Sequence, residues 1–162
     1  YGPTFPEPQP KLTEYPLILG LDGKQKMSKS LDNHIELAAT PEETSARVKT
    51  AFTDPQRLRR TDPGRPEVCN VYSLHKLFNP DKLDEVYQMC VSAQLGCVDD
   101  KQLLATGINK TLEPCRERRR EFAEKPGYVE EILQEGARHA RVIAKETLSE
   151  VRDKMGISET SL

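Results

Sequence analysis

The chain has 162 residues, of which 36% are hydrophobic and 31% are charged, and its formal net charge is −2 at pH 7. This composition suffices for one ordinary domain with a buried core, or for a small domain joined to part of another. It excludes nucleic-acid binding through overall charge, so any contact with RNA depends on local basic groups. No apolar run could cross a bilayer and no signal peptide opens the chain, so we expect a cytoplasmic protein without membrane association.

The first part of the chain is predicted to be irregular up to one short strand. Residues 1–16 contain five of the twelve prolines, and proline lacks an amide donor and disfavours helix in the residue before it. The apolar run from Leu17 to Leu21 is bounded by turn residues and is too short for a helix, so it predicts a buried strand. A single strand cannot form a sheet, which indicates that its partner strands lie outside this chain.

A polar loop over residues 23–33 follows, and the rest of the chain is predicted to be helical. Thr40-Pro41-Glu42-Glu43 is a helix start, with Thr40 as the N-cap and Glu43 three residues beyond it. Apolar residues at helical spacing then predict four more helices. Their approximate ranges are 68–78, 80–96, 100–122 with a kink at Pro114, and a long last helix that carries an apolar stripe and stops at Gly156.

The most informative segment is the lysine–serine loop from Lys24 to Ser30. Three lysines and two serines follow a glycine and the predicted strand, which makes a mobile cationic loop. Its amide and hydroxyl groups can hold phosphate oxygens, while the ammonium groups offset their charge. For a lysine–serine cluster without further pattern, the commoner alternative is a solvated turn.

This segment has a specific pattern, because Lys26-Met27-Ser28-Lys29-Ser30 reproduces the second signature of the class I aminoacyl-tRNA synthetases. The residues after it resemble the bacterial tryptophanyl-tRNA synthetases. The matching stretches are Thr53–Pro55, Arg59–Gly64, Cys69–Tyr72, Leu74–Phe78 and Lys125–Tyr128. The resemblance covers essentially the whole chain. It implies the end of a Rossmann-like α/β catalytic domain over residues 1–38, followed by an α-helical bundle over residues 39–162 that binds the anticodon.

By this resemblance, the complete enzyme activates tryptophan with ATP and Mg²⁺, transfers it to tRNA(Trp), and is a homodimer. Lys26 and Lys29 would contact the triphosphate, Ser28 and Ser30 would add hydrogen-bond donors, and Met27 would lie near the adenosine. The other class I signature, His-Ile-Gly-His, does not occur in these residues. We therefore expect a C-terminal portion that is inactive alone. The alternatives are a tyrosyl-type synthetase fragment and a stand-alone helical tRNA-binding module without catalysis.

Three of the four cysteines resemble a ligand set. Some bacterial tryptophanyl-tRNA synthetases hold a [4Fe-4S] cluster with one distant cysteine followed by Cys-x6-Cys-x2-Cys, and Cys69, Cys90 and Cys97 resemble the first three ligands. Asp100 stands at the fourth place, and a carboxylate is a harder and poorer partner for such a cluster than a thiolate. The alternative is packed thiols, since Cys90 falls on an apolar helix stripe.

Basic residues are concentrated in three groups along the chain. These groups are Arg57, Arg59 and Arg60; then Arg116, Arg118, Arg119 and Arg120; and finally Arg138, Arg141 and Lys145. Each group is expected either to form a solvated face paired with nearby glutamates or to contact single-stranded bases of tRNA.

Overall fold

The computed structural model describes residues 1–157, and its regular structure is helical, which confirms the prediction of a mainly α chain. The α-helices are α1 (Pro41–Lys49), α2 (Asn70–Phe78), α3 (Leu83–Val91), α4 (Cys97–Ala123) and α5 (Pro126–Met155). Short 3₁₀ helices occupy Lys29–Leu31, Pro66–Val68 and Pro80–Lys82.

The strand predicted from Leu17 to Leu21 is wrong. This segment forms a single antiparallel bridge, between Leu19 and Lys26. Beside the bridge, the amide of Met27 donates to the carbonyl of Ile18 at 2.8 Å. A strand persists where a neighbouring strand pairs along its edge, and within residues 1–157 the partner is a loop that runs alongside for one residue pair.

Helix α1 begins as the sequence predicts. The amide of Glu43 donates to Oγ1 of Thr40 at 3.2 Å, and the amide of Thr40 donates to Oε2 of Glu43 at 2.8 Å. This reciprocal capping box satisfies two amides that a helix start would otherwise leave open, and an N-cap contributes about 1 kcal/mol. The helix buries Thr44 and Val48.

Two of the predicted helix bounds are wrong. Helix α3 ends at Val91 and does not continue to Gly96, because the chain turns at Ala93, whose φ of 60° lies in the left-handed region. Helix α4 begins at Cys97, before the predicted start near Asp100. Val98, the apolar residue in its first turn, is 75% exposed. The periodicity of buried apolar residues therefore could not predict that the helix begins at Cys97. The helix runs through Pro114, and a kink there stays a prediction.

The core is formed by α1, α2 and α4 together with the residue that leads into the lysine–serine loop. Val71, Leu74, Leu104 and Ile108 are each at most 2% exposed, and Leu21 is 3% exposed in the same cluster. Burial of such a side chain contributes about 1.5–3 kcal/mol. The start of the loop is therefore fixed to the helical core.

The chain forms two compact units. One is Glu14–Arg119, and the other combines Tyr1–Thr13 with residues 120–157 among those described. The functional division predicted between residues 1–38 and 39–162 is a different one and stays a prediction.

The predicted long last helix is confirmed as α5. It ends at Met155 and is capped by the predicted stop Gly156, whose φ of 68° is the left-handed conformation that glycine adopts readily. Its predicted apolar stripe is largely exposed, with Leu133 at 64% and Ile143 at 65%. In residues 1–157, no helix combines the length and the apolar character that crossing a bilayer requires.

Candidate functional site

The lysine–serine loop is a closed turn with a buried base. The amide of Leu21 donates to the carbonyl of Asn33 at 2.7 Å, which joins the two ends of the loop. We use "loop base" for Gly20–Asp22 with Asn33, and "loop tip" for Lys24–Ser30. The loop base carries the contacts to the core, and the loop tip carries the residues of the synthetase-like motif.

Asn33 organises the loop base through its side-chain amide. Oδ1 accepts a hydrogen bond from the amide of Ser28 at 2.8 Å. Nδ2 donates to Oδ2 of Asp22 at 3.0 Å and to the carbonyl of Lys26 at 3.2 Å. Asn33 is 4% exposed, so its end of each bond is shielded from water, while the bonds as a whole are partly buried. The side chain thereby sets the backbone on both sides of Met27.

Gly20 is required for the close approach of Asn33. A Cβ atom at Gly20 would lie 2.1 Å from Nδ2 of Asn33, which is far inside van der Waals contact. The carbonyl of Gly20 in turn accepts a hydrogen bond from Nδ2 of the buried Asn70 at 2.8 Å. Asn70 is the first residue of α2, so this bond ties the loop base to the helical core.

Asp22 accepts hydrogen bonds from within the loop. The amides of Lys24 and Gln25 donate to its Oδ1 at 3.0 and 3.2 Å. The amide of Lys24 and the side chain of Asn33 lower the pKa of Asp22 below its ordinary value, because these donors favour the charged carboxylate. The loop base therefore contains a carboxylate that stays ionised.

The loop tip presents its cations to solvent. Lys24, Lys26 and Lys29 are exposed, and Met27 and Ser28 are half-buried. The side chain of Lys29 is 85% exposed, and its Nζ lies 3.9 Å from Oε1 of the exposed Glu36. The Oγ atoms of Ser28 and Ser30 are 2.9 Å apart. The sequence motif thus lies on one open turn whose ammonium groups are free to meet an anion.

Arg47 of α1 holds the chain where it leaves the loop. Its guanidinium donates to the carbonyl of Asp32 through Nη2 and to the carbonyl of His34 through Nε, the latter at 3.2 Å. Nη2 also lies 3.1 Å from Oδ1 of Asp32. Asp32 has a φ of 48°, so Arg47 stabilises a left-handed turn at a residue other than glycine.

Asn33, Asn70 and Arg47 were not predicted as site residues from the sequence. Their partners are carbonyls and amides that approach them only after the turn has formed, and apolar periodicity carries no information about such contacts. The one available signal was the Asp32-Asn33 pair, one residue beyond the motif, because these residues favour turns and left-handed backbone.

The three cysteines lie at helix ends. Cys69 directly precedes α2, Cys90 is in the last turn of α3, and Cys97 opens α4. Cys69 and Cys90 are buried and Cys97 is half-buried. Burial raises the pKa of the Cys90 thiol to about 11, against the opposing charge of Arg57.

The surrounding side chains do not fit a [4Fe-4S] cluster. Asp100, at the fourth ligand place, is 5% exposed and lies 3.0 Å from Nε2 of the fully buried His75. Nδ1 of His75 accepts from Nδ2 of Asn79 at 2.9 Å, so the imidazole hydrogen is on Nε2 and is donated to Asp100. Turning Asp100 toward the sulfurs would leave a buried donor unpaired, at a cost of about 1–3 kcal/mol.

The basic group at the end of α4 is smaller than predicted, because Arg116 is not a surface residue. Arg116 is 5% exposed, and its Nη2 donates to Oγ1 of Thr44 at 2.9 Å and to Oδ1 of Asn109 at 3.0 Å. Leu104, Ile108, Leu112 and Arg116 follow one another at spacings of four. This continuation of an apolar stripe was the signal that could have identified Arg116 as buried.

Other members of the predicted basic groups remain at the surface, with the exception of the half-buried Arg57. Arg118 and Arg119 are exposed. In α5, Glu135 forms an ion pair with Arg138, and its Oε1 lies 3.1 Å from Nε2 of His139, as expected for a solvated face with polar partners three and four residues apart. Contact of any of these residues with tRNA stays a prediction.

Comparisons with known proteins identify the family. The family model described as tRNA synthetases class I (W and Y) matches residues 2–113. The tryptophan--tRNA ligase of Aquifex aeolicus (strain VF5) is 45% identical over 159 residues, which cover 97% of this chain and 40% of that protein. The tryptophan--tRNA ligase of Deinococcus radiodurans is 42% identical over 158 residues, which cover 96% of this chain and 48% of that protein. The chain spans less than half the length of these relatives.

Solved structures give the same result. Tryptophanyl-tRNA synthetase from Campylobacter jejuni, complexed with ADP and tryptophan, matches with a TM-score of 0.76 and 30% identity, over 90% of this chain and 46% of that one. The enzyme from Aeropyrum pernix K1 matches with a TM-score of 0.51 and 30% identity, over 57% of this chain and 27% of that one. Since the family model covers well over half of the residues, the chain belongs to the class I tRNA synthetases of the tryptophan and tyrosine group.

Proposed function

We propose that the protein carrying this chain is a tryptophan--tRNA ligase, in which this chain supplies the mobile ATP-handling loop and a helical tRNA-binding part. The observation that carries the proposal is the loop tip, where Lys26 and Lys29 are exposed while Asn33 holds the loop base against the core. The named relatives are tryptophan--tRNA ligases, which favours tryptophan over tyrosine as the substrate.

The chemistry assigned to the loop tip is charge stabilisation during amino-acid activation. ATP enters as its Mg²⁺ complex, the carboxylate of tryptophan attacks the α-phosphorus, and pyrophosphate leaves. Negative charge grows on the departing oxygens, and the ammonium groups of Lys26 and Lys29 meet it in the transition state. Ser28 and Ser30 donate further hydrogen bonds, and Met27 lies beside the adenosine.

The second half of the reaction requires a tRNA partner. We assign tRNA(Trp) to residues 39–162, with the exposed Arg118 and Arg119 available for phosphates or anticodon bases. The active form of the complete protein is a homodimer in the cytoplasm, as in the family that it resembles.

Substrate choice tests the proposal. In the intact protein, ATP–pyrophosphate exchange is measured with tryptophan and with tyrosine, and charging is measured with tRNA(Trp) and tRNA(Tyr). We expect exchange and charging with the tryptophan pair alone. Exchange that depends on tyrosine would assign the protein to the tyrosyl branch, and the absence of exchange with either amino acid would remove the enzymatic proposal.

A second experiment separates binding from catalysis. The isolated chain lacks the His-Ile-Gly-His signature, so we expect no tryptophan-dependent exchange but retained binding of tRNA(Trp). Circular dichroism checks that the chain is helical, and binding is measured at two salt concentrations, because phosphate contacts weaken as counterions are added. Measurable exchange by the isolated chain would contradict the proposed division of labour.

A further inference from the structure

The proposed function assigns no role to the three cysteines Cys69, Cys90 and Cys97, of which Cys90 and Cys97 contact a common side chain. The relevant segments are the end of α3, the start of α4 and the chain from Arg57 to Arg60. The two helix ends are joined by a short turn, whereas Arg57 lies 33 residues before Cys90 and 40 before Cys97. A bound group or a side chain is therefore needed to link this earlier segment to both sulfurs. The contacts identify a side chain.

Arg57 lies between two of the sulfurs. Its Nη1 is 3.7 Å from Sγ of Cys90 and 3.8 Å from Sγ of Cys97. Both distances are those of long hydrogen bonds from a guanidinium to sulfur, which is a weak acceptor. In a [4Fe-4S] cluster each thiolate binds its own iron, so the cluster itself would have to fill the space beside both sulfurs. Nη1 of Arg57 lies beside both and so takes up part of that space.

The same guanidinium also bonds to the backbone of its own segment, residues 57–60. Nη2 of Arg57 donates to the carbonyl of Arg60 at 3.1 Å, and Nη2 of Arg60 lies 3.4 Å from Oδ2 of Asp99 in the first turn of α4. Arginine presents several donors in a rigid planar fork, so one side chain can link three groups at once. A lysine at residue 57 would offer one compact ammonium group in place of that fork.

The rest of the site is closed around Cys90. A Cβ atom at Gly64 would lie 2.4 Å from Sγ of Cys90, and the amide of Gly64 donates to the carbonyl of Cys90 at 3.0 Å. The backbone therefore packs directly against this sulfur. Cys97, by contrast, lines an open cavity of about 400 Å³ together with Arg57 and Arg60.

We propose that Arg57 takes the place of a metal cluster in this protein: its guanidinium links the thiols of Cys90 and Cys97, and the site is held together without iron. Asp100 supports the same arrangement, because its carboxylate is committed to His75 at 3.0 Å and supplies no fourth ligand. Cys90 and Cys97 are thus packing and hydrogen-bonding groups, and Arg57 is the positioning residue of the site.

The first test measures metal in the intact protein. The protein is produced with added iron and cysteine and purified without oxygen, and iron and acid-labile sulfide are counted per chain. We expect iron far below one atom per chain, no visible charge-transfer band, and a melting temperature that an iron chelator does not change. Iron and sulfide at the level of a whole cluster per chain would overturn the proposal.

The second test measures how well Arg57 shields Cys90. A neutral maleimide is used, so that the charge of Arg57 does not attract or repel the reagent, and modified cysteines are located by mass spectrometry. We expect Arg57→Ala to speed the modification of Cys90 about tenfold, because local opening no longer breaks a charge-assisted hydrogen bond. Arg57→Lys should give an intermediate rate.

Arg59→Ala is the matched control, since it removes an exposed arginine from the same segment. We expect it to leave the modification of Cys90 at the wild-type rate. Equal rates for wild type and Arg57→Ala would show that Arg57 does not guard the thiols. If Arg57→Ala does not fold, the Arg57→Lys variant and the iron measurement on the wild type still decide the question.

Discussion

The loop base and the loop tip belong to one short segment, yet their polar side chains are placed in opposite environments. Asn33, at the loop base, is 4% exposed and uses its amide in three hydrogen bonds. Lys29, at the loop tip, is 85% exposed in its side chain and has one contact of 3.9 Å, to a glutamate that is itself 57% exposed.

This difference assigns two roles: the loop base fixes the backbone, and the loop tip interacts with a ligand. A buried amide resists displacement because its partners would be left unpaired at a cost of about 1–3 kcal/mol. An exposed ion pair contributes at most about 1 kcal/mol, so a stronger anion can replace it. The fold therefore fixes the backbone around Met27 and leaves the cations free to follow the charge of a ligand. Substitutions of the motif residues at the tip should change rate alone, and substitutions at the base should change both rate and stability.

The largest effect is expected for Lys29→Ala. In the intact enzyme, loss of the ammonium group should slow tryptophan-dependent pyrophosphate exchange by about 10²-fold, as for other lost donors to a transition-state charge. The free energy of unfolding should change by less than about 0.5 kcal/mol, since the side chain is exposed. Lys24→Ala is the control, because it removes an exposed lysine outside the motif. An unchanged exchange rate in Lys29→Ala would refute the assignment.

The sequence predicts the loop tip better than the loop base. The motif from Lys26 to Ser30 is continuous, so its chemistry can be read without a structure. The capping box of Thr40 and Glu43 is equally local, and it is confirmed. The bonds of Asn33 span at most 11 residues, but they exist only in one turn geometry, which the Asp32-Asn33 pair favours without specifying.

Polar contacts between residues far apart in the chain could not be predicted from the sequence for a related reason. Arg57 meets sulfurs 33 and 40 residues away, and His75 meets Asp100 across 25 residues. Helical periodicity identifies which face of a helix is buried, but it does not identify which polar groups meet on it. The spacing of Cys90, Cys97 and Asp100 therefore resembled a ligand set, although Asp100 is committed to His75.

Asn33→Ala tests the role of the loop base, because it should lower both the stability of the protein and the rate of exchange. Three hydrogen bonds are lost, so the free energy of unfolding should fall by about 2 kcal/mol. Exchange should slow about tenfold, because the loop tip is no longer held in its reactive orientation. Both are measured in the intact enzyme, by denaturant titration and by pyrophosphate exchange. Gln25→Ala, which truncates an exposed amide of the same loop, should change neither. Wild-type stability in Asn33→Ala would mean that the base is held by its backbone alone.

A smaller effect is expected for Arg47, which lies in α1 and positions the residues that follow the loop tip, Asp32 and His34. Arg47→Ala should lower kcat for exchange about threefold, with little change in KM for tryptophan, because it misplaces the loop tip without touching the amino acid. Arg47→Lys should restore only part of the rate, since an ammonium group cannot bridge the carbonyls of Asp32 and His34 as a forked guanidinium does. Complete rescue by lysine would reduce the role of Arg47 to its charge.

The smallest effect concerns the acid stability of the loop base. Backbone and side-chain donors lower the pKa of Asp22, so the folded state binds this proton more weakly than the unfolded chain. The stabilisation is therefore complete above the ordinary pKa of about 3.9 and is lost as the pH falls through the lowered folded-state value. Asp22→Asn should melt below the wild type at neutral pH, because its amide turns a donor toward Asn33, and the gap in melting temperature should narrow as the pH is lowered below about 4. A gap that stays constant across this range would show that the carboxylate of Asp22 contributes through its shape and not through its charge.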